Sequence, residues 1–88
     1  MKQVILFIIK SCPYCIMANK FMKQIFKENP QFKDVPLRIV DENEQKAIAD
    51  QYNYYYVPTY YVDGVKMHEG VPTKEKVEAV FKAAYAGD

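Results

Sequence analysis

The chain has 88 residues, two cysteines and a formal net charge of +1. This length predicts one domain, spanning residues 1–88, with a core of modest size. Because 50% of the residues are hydrophobic and 26% are charged, we expect a globular chain rather than a disordered one. The small net charge and the lack of a long apolar stretch argue against a nucleic-acid or membrane partner. No targeting segment is visible in the sequence, which predicts a cytoplasmic location.

The first strand and the first helix are predicted on either side of the two cysteines. The apolar run over residues 3–9 is typical of a strand that is covered on both faces, as in a parallel sheet. After Cys-Pro-Tyr-Cys at residues 12–15, apolar residues recur at helical spacing until Asn29-Pro30 ends the pattern. Pro13 suits the first turn of this helix, where its missing N–H costs nothing. The predicted apolar face consists of Ala18, Phe21, Met22, Ile25 and Phe26.

A second strand and a short second helix are predicted next. Residues 35–40 have the composition of a strand, and Pro36 within them indicates an edge position, because proline cannot donate a hydrogen bond to a neighbouring strand. Either Asp41 or Asn43 is predicted to cap the helix. This helix is expected to contain Ala47, Ile48 and Tyr52.

A β-hairpin and a third helix complete the chain. Residues 59–62 and 65–69 predict two strands, and Asp63-Gly64 between them is a strong signal for a two-residue turn. Thr73 is predicted to cap the last helix, which Gly87 ends. One face of that helix is formed by Val77, Val80, Phe81 and Ala84.

The predicted order of elements is βαβαββα, which defines an α/β fold. The first two strands are joined through a helix and should be parallel, by a right-handed crossover. The hairpin adds two antiparallel strands, so we expect a four-stranded mixed sheet with helices on both faces. Ligand sites of open α/β sheets lie beyond the carboxyl ends of the strands, and Cys12 follows the first strand at that edge.

The two cysteines are placed for thiol–disulfide exchange. The nucleophile in this chemistry is the thiolate, and the unpaired N–H groups and partial positive charge of a helix N-terminus stabilise it. We therefore predict a lowered pKa for Cys12 and a near-normal or raised pKa for Cys15, which lies about one turn into the helix. Lys10 either adds a favourable charge beside Cys12 or is simply a solvated lysine at the end of the strand.

Two structural interpretations of the cysteine pair fit the sequence less well than the redox interpretation. Two thiolates and the single imidazole of His68 would leave a tetrahedral zinc site incomplete, so we expect no metal site. A purely structural disulfide between residues three apart would close a very small loop and would stabilise the fold little.

The order βαβαββα, with CPYC after the first strand and Val57-Pro58-Thr59 before the hairpin, resembles the thioredoxin fold over essentially the whole chain. The sequence CPYC at residues 12–15 is similar to that of dithiol glutaredoxins, whereas Asp41-Glu42-Asn43, Val57-Pro58-Thr59 and Asp63-Gly64 look more like thioredoxin. The chain thus combines features of both. The resemblance implies a cis peptide bond before Pro58, which packs against the active-site disulfide, and a backbone at Val57 that pairs with an extended substrate segment.

Several positions depart from these families. Glutaredoxins usually have a basic residue where this chain has Ile9, and a Gly-Gly pair where it has Glu69-Gly70. The acidic residue with which they hold glutathione is replaced by Thr73, so only weak glutathione binding is expected, through the hydroxyl and the helix N-terminus. The buried aspartate of thioredoxins is replaced by Leu6, which leaves Cys15 without an obvious side-chain base.

Together these features predict a thiol–disulfide oxidoreductase that reduces protein or glutathione-mixed disulfides. No tightly bound cofactor is expected, and the electron donor is either glutathione or a flavoprotein, thioredoxin reductase. We expect a monomer whose partners are disulfide-bonded proteins. The alternatives are a glutathione-dependent iron–sulfur cluster carrier and a non-catalytic binding module. The predicted catalytic residues are Cys12 and Cys15, and the predicted substrate-binding residues are Lys10, Pro13, Tyr14, Val57, Pro58, Gly70 and Thr73.

Overall fold

The computed structural model describes residues 1–87 and contains the elements in the expected order. The four strands are β1 (Val4–Ile8), β2 (Leu37–Asp41), β3 (Thr59–Val62) and β4 (Val65–Glu69). The helices are α1 (Pro13–Glu28), α2 (Lys46–Ala49) and α3 (Lys74–Ala86), with a 3-10 helix at Pro30–Asp34. Within residues 1–87, no helix combines the length and the apolar character needed to cross a bilayer.

The sheet has the strand order β2-β1-β3-β4. Strand β1 runs parallel to β2, with Val4 opposite Leu37, and antiparallel to β3, with Val4 opposite Val62. Strand β4 completes the mixed sheet by pairing antiparallel with β3. The position of β2 at an edge confirms the prediction made from Pro36.

Each face of the sheet is covered by its own apolar cluster, which explains why β1 is apolar throughout. One cluster packs Leu6 and Tyr60 against α1 and α3. The other surrounds Phe7, whose ring centroid lies 4.8 Å from that of Tyr52 and 4.9 Å from that of Tyr54. Tyr52 and Tyr54 therefore pack against the core, and the predicted arrangement of helices on both faces is confirmed.

The second strand begins two residues later than predicted. Val35 donates its N–H to the carbonyl oxygen of Phe32 at 3.1 Å and so belongs to the end of the 3-10 helix. Pro36 has no N–H, but its carbonyl accepts a hydrogen bond from Val4 at 2.8 Å, and regular pairing starts at Leu37.

The predicted cap of the second helix was wrong. The N-cap of α2 is Gln45, and α2 ends before Tyr52. Asp41 instead accepts hydrogen bonds from the backbone of Asn43 at 2.9 Å and of Glu44 at 3.2 Å. A capping residue and an Asx-turn residue have the same sequence signal, because both use a short side-chain oxygen to accept nearby N–H groups.

The hairpin and the last helix agree with the sequence signals. Asp63 and Gly64 have φ values of 49° and 81°, the left-handed conformation that a tight two-residue turn requires. Thr73 is the N-cap of α3, and its hydroxyl accepts the N–H of Lys76 at 3.1 Å. Gly87 is the C-cap, as predicted.

Candidate active site

The turn between β1 and α1 places Cys12 at the start of the helix. The N–H of Cys12 donates to the carbonyl oxygen of Ile9 at 3.0 Å, and the Cys12 carbonyl accepts from Cys15 at 3.0 Å and from Ile16 at 3.1 Å. Cys12 is the N-cap, and Pro13 is the first residue of α1. This geometry places the first N–H groups of the helix and the positive end of the helix dipole beside the Cys12 side chain.

The Cys12 thiol is partly exposed, and its pKa lies below the ordinary value. The largest cause is the backbone N–H of Cys15, and the N–H of Tyr14 acts in the same direction, while partial burial opposes both. Although the sulfur does not form a regular capping hydrogen bond, these N–H groups stabilise its charged form. Cys12 therefore has the accessibility and the acidity of an attacking thiol.

The Cys15 thiol has the opposite character. Its residue is only 6% exposed, and burial raises its pKa to about 11. The charges of Cys12 and Glu42 add to this increase, whereas the N–H of Ile9, 3.5 Å from the sulfur, partly offsets it. The two thiols, which lie one helical turn apart, thus differ in both exposure and pKa.

The ammonium group of Lys10 is paired with a carboxylate rather than with the Cys12 thiol. Its Nζ lies 2.7 Å from Oε1 of Glu44, and both side chains are largely exposed. The backbone N–H of Lys10 donates to Asp41 Oδ2 at 3.2 Å, which ties the residue to the end of β2. The groups that shift the pKa of Cys12 most are amides and Cys15, and Lys10 is not among them.

A groove of about 270 Å³ lies beside the cysteines. Its wall joins Tyr14, from between the cysteines, to Val57 and Gly70, and is completed by Tyr56 and Val71. The peptide bond between Val57 and Pro58 is cis, as the resemblance implied. The buried Pro58 accepts a hydrogen bond from Gly70 at 3.0 Å, which holds the two loops together.

The structure brings only some of the predicted substrate-binding residues together. Tyr14, Val57 and Gly70 share the groove, and Pro58 follows directly in the chain. Lys10 instead lines a separate cavity of about 260 Å³ that reaches Cys15. Thr73 is outside the groove wall, and its hydroxyl is already engaged in capping α3.

Sequence reasoning missed Glu69, which holds the loop before the cis proline. One of its carboxylate oxygens accepts hydrogen bonds from the backbone of Tyr55 and of Tyr56, and the other lies 2.7 Å from Lys66 Nζ. The hydrogen bond from Lys66 and those from the two N–H groups lower the pKa of Glu69 to about 2. Nothing in the sequence signals this contact, because the carboxylate and the amides are separated by a strand and a hairpin.

We predict that Glu69→Gln weakens the loop that carries Val57. The neutral amide loses the ion pair with Lys66 and accepts less strongly from the two N–H groups. Because the folded-state pKa is below the ordinary value of 4.5, the stabilisation is complete above pH 4.5 and is lost as the pH falls towards 2. Urea unfolding should show the largest difference between wild type and variant at pH 7 and a small one near pH 2.

Lys66→Met is the matched control for this prediction. It removes the ion pair but leaves the hydrogen bonds from Tyr55 and Tyr56 in place. Its effect at pH 7 should therefore be smaller than that of Glu69→Gln. Equal effects of the two variants would mean that the ion pair, not the contact with the loop, carries the stabilisation.

Comparison with known proteins agrees with this architecture. A family model described as the thioredoxin domain matches residues 2–82. The chain belongs to the thioredoxin family. A thioredoxin from Methanocaldococcus jannaschii is similar in sequence, with 37% identity over 78 residues, which are 88% of this chain and 89% of that protein.

Solved thioredoxin structures show the same fold. The thioredoxin of Malassezia sympodialis has a TM-score of 0.75 at 26% identity, covering 97% of this chain and 76% of that one. The oxidised thioredoxin of Plasmodium falciparum has a TM-score of 0.72 at 17% identity, covering 97% and 82% of the two chains. The family model and the sequence relative are both described as thioredoxins, so they favour the thioredoxin-like features of this chain. The similarity to glutaredoxins depends on CPYC at residues 12–15.

Proposed function

We propose that this protein is a thiol–disulfide oxidoreductase that reduces disulfide bonds in other proteins. The observation that carries the proposal is the opposite shift of two neighbouring thiols: the pKa of Cys12 is lowered and that of Cys15 is raised to about 11. Cys12, as a partly exposed thiol of low pKa, is suited to attack the substrate disulfide. Cys15, as a buried and protonated thiol, is suited to react only in the second, resolving step. Membership of the thioredoxin family supports the same activity.

The proposed mechanism has two exchanges. The Cys12 thiolate attacks a substrate disulfide, forms a mixed disulfide with one substrate sulfur and releases the other as a thiolate. Cys15 then attacks Cys12, which releases the reduced substrate and leaves a Cys12–Cys15 disulfide. A donor dithiol, or two molecules of glutathione, returns the pair to the reduced state. Only the attacking residue needs to be accessible, which suits the exposure of the two cysteines.

The groove beside Cys12 is proposed to bind the substrate chain. Its wall is almost entirely apolar and includes Tyr14, Val57 and Val71. Tyrosine and exposed aliphatic side chains are well suited to contact an extended segment of another protein, and Val57 offers backbone groups next to them. Protein disulfides are accordingly the proposed substrates, with the chain acting as a cytoplasmic monomer.

The proposed electron donor is a flavoprotein thioredoxin reductase. The family comparison favours this donor, and the capping role of Thr73 leaves its hydroxyl less available to glutathione. CPYC at residues 12–15 keeps glutathione as the second candidate donor. No tightly bound cofactor is part of the proposal, since the two sulfur atoms carry the electrons themselves.

Insulin reduction tests the activity and the donor separately. With dithiothreitol as the reductant, the protein should accelerate the precipitation of insulin well above the rate with dithiothreitol alone, and failure to do so would refute the proposed activity. With NADPH, thioredoxin reductase should then support faster turnover than glutathione with glutathione reductase. Equal or faster turnover with glutathione would contradict the proposed donor only. A brown protein with visible absorbance after anaerobic purification would instead support the iron–sulfur carrier.

A further inference from the structure

Tyr60 has a buried hydroxyl that the fold does not use. The side chain lies in the middle of β3, and the residue is 0% exposed. Within residues 1–87, its hydroxyl is the only fully buried side-chain polar atom that lacks a hydrogen-bond partner. Burying an unpaired hydroxyl costs stability, and a buried tyrosine normally finds a partner. The presence of this group in the core therefore requires an explanation other than stability.

The hydroxyl lies on the face of the sheet on which Cys15 is buried. Tyr60 is directly opposite Leu6 in the pairing of β3 with β1, so the two side chains are on the same face. Leu6, Cys15 and Met22 line the cavity of about 260 Å³, and Met22 belongs to the same apolar cluster as Tyr60. The charge of Cys15 is also, after burial, a cause of the raised pKa of Tyr60, so this hydroxyl keeps its proton.

The polar neighbour of Tyr60 on β4 does not form a hydrogen bond with its hydroxyl. His68 is the cross-strand partner of Tyr60 on β4, with ring centroids 6.2 Å apart. Its Nε2 lies 2.9 Å from the carbonyl oxygen of Gly70 and is engaged there. The hydroxyl is thus a protonated donor without a partner, on the face of the sheet on which Cys15 is buried.

We propose that the Tyr60 hydroxyl donates a hydrogen bond to the Cys15 thiolate when Cys15 resolves the mixed disulfide. This inference rests on the proposed function. A neutral thiol is a weak acceptor, which fits the unpaired hydroxyl in the reduced resting state, whereas a thiolate is a strong acceptor. An interaction made only with the charged form favours that form, and so accelerates the step that needs it. Tyr60 takes the place of a missing base by stabilising the anion rather than by accepting a proton.

The step is balanced in atoms and electrons. Cys15 loses its proton to solvent through the cavity, and its thiolate attacks Cys12 Sγ. The bond between Cys15 and Cys12 forms as the bond between Cys12 and the substrate sulfur breaks, and the substrate leaves as a thiolate that is protonated by solvent. The protein is oxidised by two electrons and the substrate is reduced by two, while Tyr60 keeps its proton throughout.

Groups other than Tyr60 also shift the pKa of Cys15. The charges of Cys12 and Glu42 raise its pKa, and the N–H of Ile9 lowers it. Lys10 lines the same cavity, but its ammonium is paired with Glu44. In the mixed disulfide Cys12 is bonded to the substrate and carries no charge, so burial and the charge of Glu42 are what still disfavour the Cys15 thiolate. Tyr60 would therefore be a second donor that acts with the N–H of Ile9 against these two effects.

The test is Tyr60→Phe in a stopped-flow reaction with an aromatic disulfide whose released thiolate is coloured. The first release, by Cys12, is bimolecular and should be unchanged. The second release, by Cys15, is first-order and should slow about three-fold or more. Loss of the donor raises the pKa of Cys15 by about one unit, so the thiolate population falls about ten-fold, partly offset by higher intrinsic nucleophilicity. The pH profile of this second step alone should move to higher pH.

Tyr61→Phe is the matched control. It removes the neighbouring hydroxyl of β3, which lies on the opposite face and donates to the Asn53 carbonyl oxygen at 2.5 Å. This variant should be less stable but should release both thiolates at wild-type rates. Tyr60→Phe should be at least as stable as wild type, because it removes an unpaired buried group.

Three outcomes separate the possibilities. An unchanged first-order step in Tyr60→Phe would overturn the role of Tyr60. Equal slowing of that step in Tyr61→Phe would also overturn the role of Tyr60, because the loss of either hydroxyl from β3 would then have the same effect. If wild type released only one thiolate, or none, the proposed two-cysteine function itself would be wrong.

Discussion

Replacing Cys12 with serine is expected to reduce insulin reduction to the uncatalysed rate, whereas replacing Cys15 with serine should trap covalent mixed disulfides. A serine hydroxyl is not ionised near neutral pH, so no nucleophile remains at the helix N-terminus. With Cys12 present and Cys15 absent, the first exchange still occurs, but no buried thiol is one turn away to complete the second. Non-reducing electrophoresis followed by mass spectrometry should show the trapped partners.

The two variants are controls for one another, because each retains one thiol and loses the other. Partners captured by Cys15→Ser should disappear on addition of dithiothreitol and should be absent from Cys12→Ser. Retention of insulin reduction by Cys12→Ser would contradict the proposed mechanism. Capture of the same partners by Cys12→Ser would mean that Cys15, despite its burial, is the attacking residue.

Alkylation of the folded protein by iodoacetamide should modify Cys12 almost exclusively. At pH 7 the ordinary thiolate fraction of a cysteine is a few per cent, and the lowered pKa of Cys12 increases it. A pKa of about 11 leaves on the order of one Cys15 in ten thousand as thiolate. The labelling rate of Cys12 should therefore level off at a lower pH than that of a free cysteine, while Cys15 labelling still rises above pH 9.

Unfolding in urea provides the control, since it removes both the helix N-terminus and the burial. The two cysteines should then be labelled at similar rates, with pKa values near the free value of about 8.5. Peptide mass spectrometry distinguishes the sites after digestion. Preferential labelling of Cys15 in the folded protein at pH 6 would reverse the assignment of attacking and resolving residues.

The parts of the fold that the sequence predicts are those with local causes. Asp63-Gly64 fixes a turn by its own backbone conformation, and Thr73 caps a helix three residues away. The cysteine pair is also local, because one strand end and one helix start position both thiols. Each of these features can be recognised in a short window of residues.

The parts that sequence reasoning missed depend on contacts between distant segments. Glu44 neutralises Lys10 from 34 residues away, so the position of that charge could not be predicted from the strand end alone. Glu69 reaches back 13 residues to Tyr56, and the relation of Tyr60 to Cys15 requires both the strand pairing and the packing of α1. The start of β2 was misplaced for a different, local reason, because the N–H of Val35 is bound by Phe32 at the end of the 3-10 helix.

The central position of β1 has a consequence for biosynthesis. Val4 is made before both of its partners, Leu37 and Val62, so the strand cannot be paired on both edges until β3 has been translated. Loop closure over such separations is slow compared with the formation of α1, which needs only neighbouring residues. The nascent chain therefore carries an unpaired apolar strand ahead of a helix that can already form, and β1 gains its second partner only when β3 leaves the ribosome. The order of synthesis thus makes α1, with both cysteines, an early element and the groove beside them a late one.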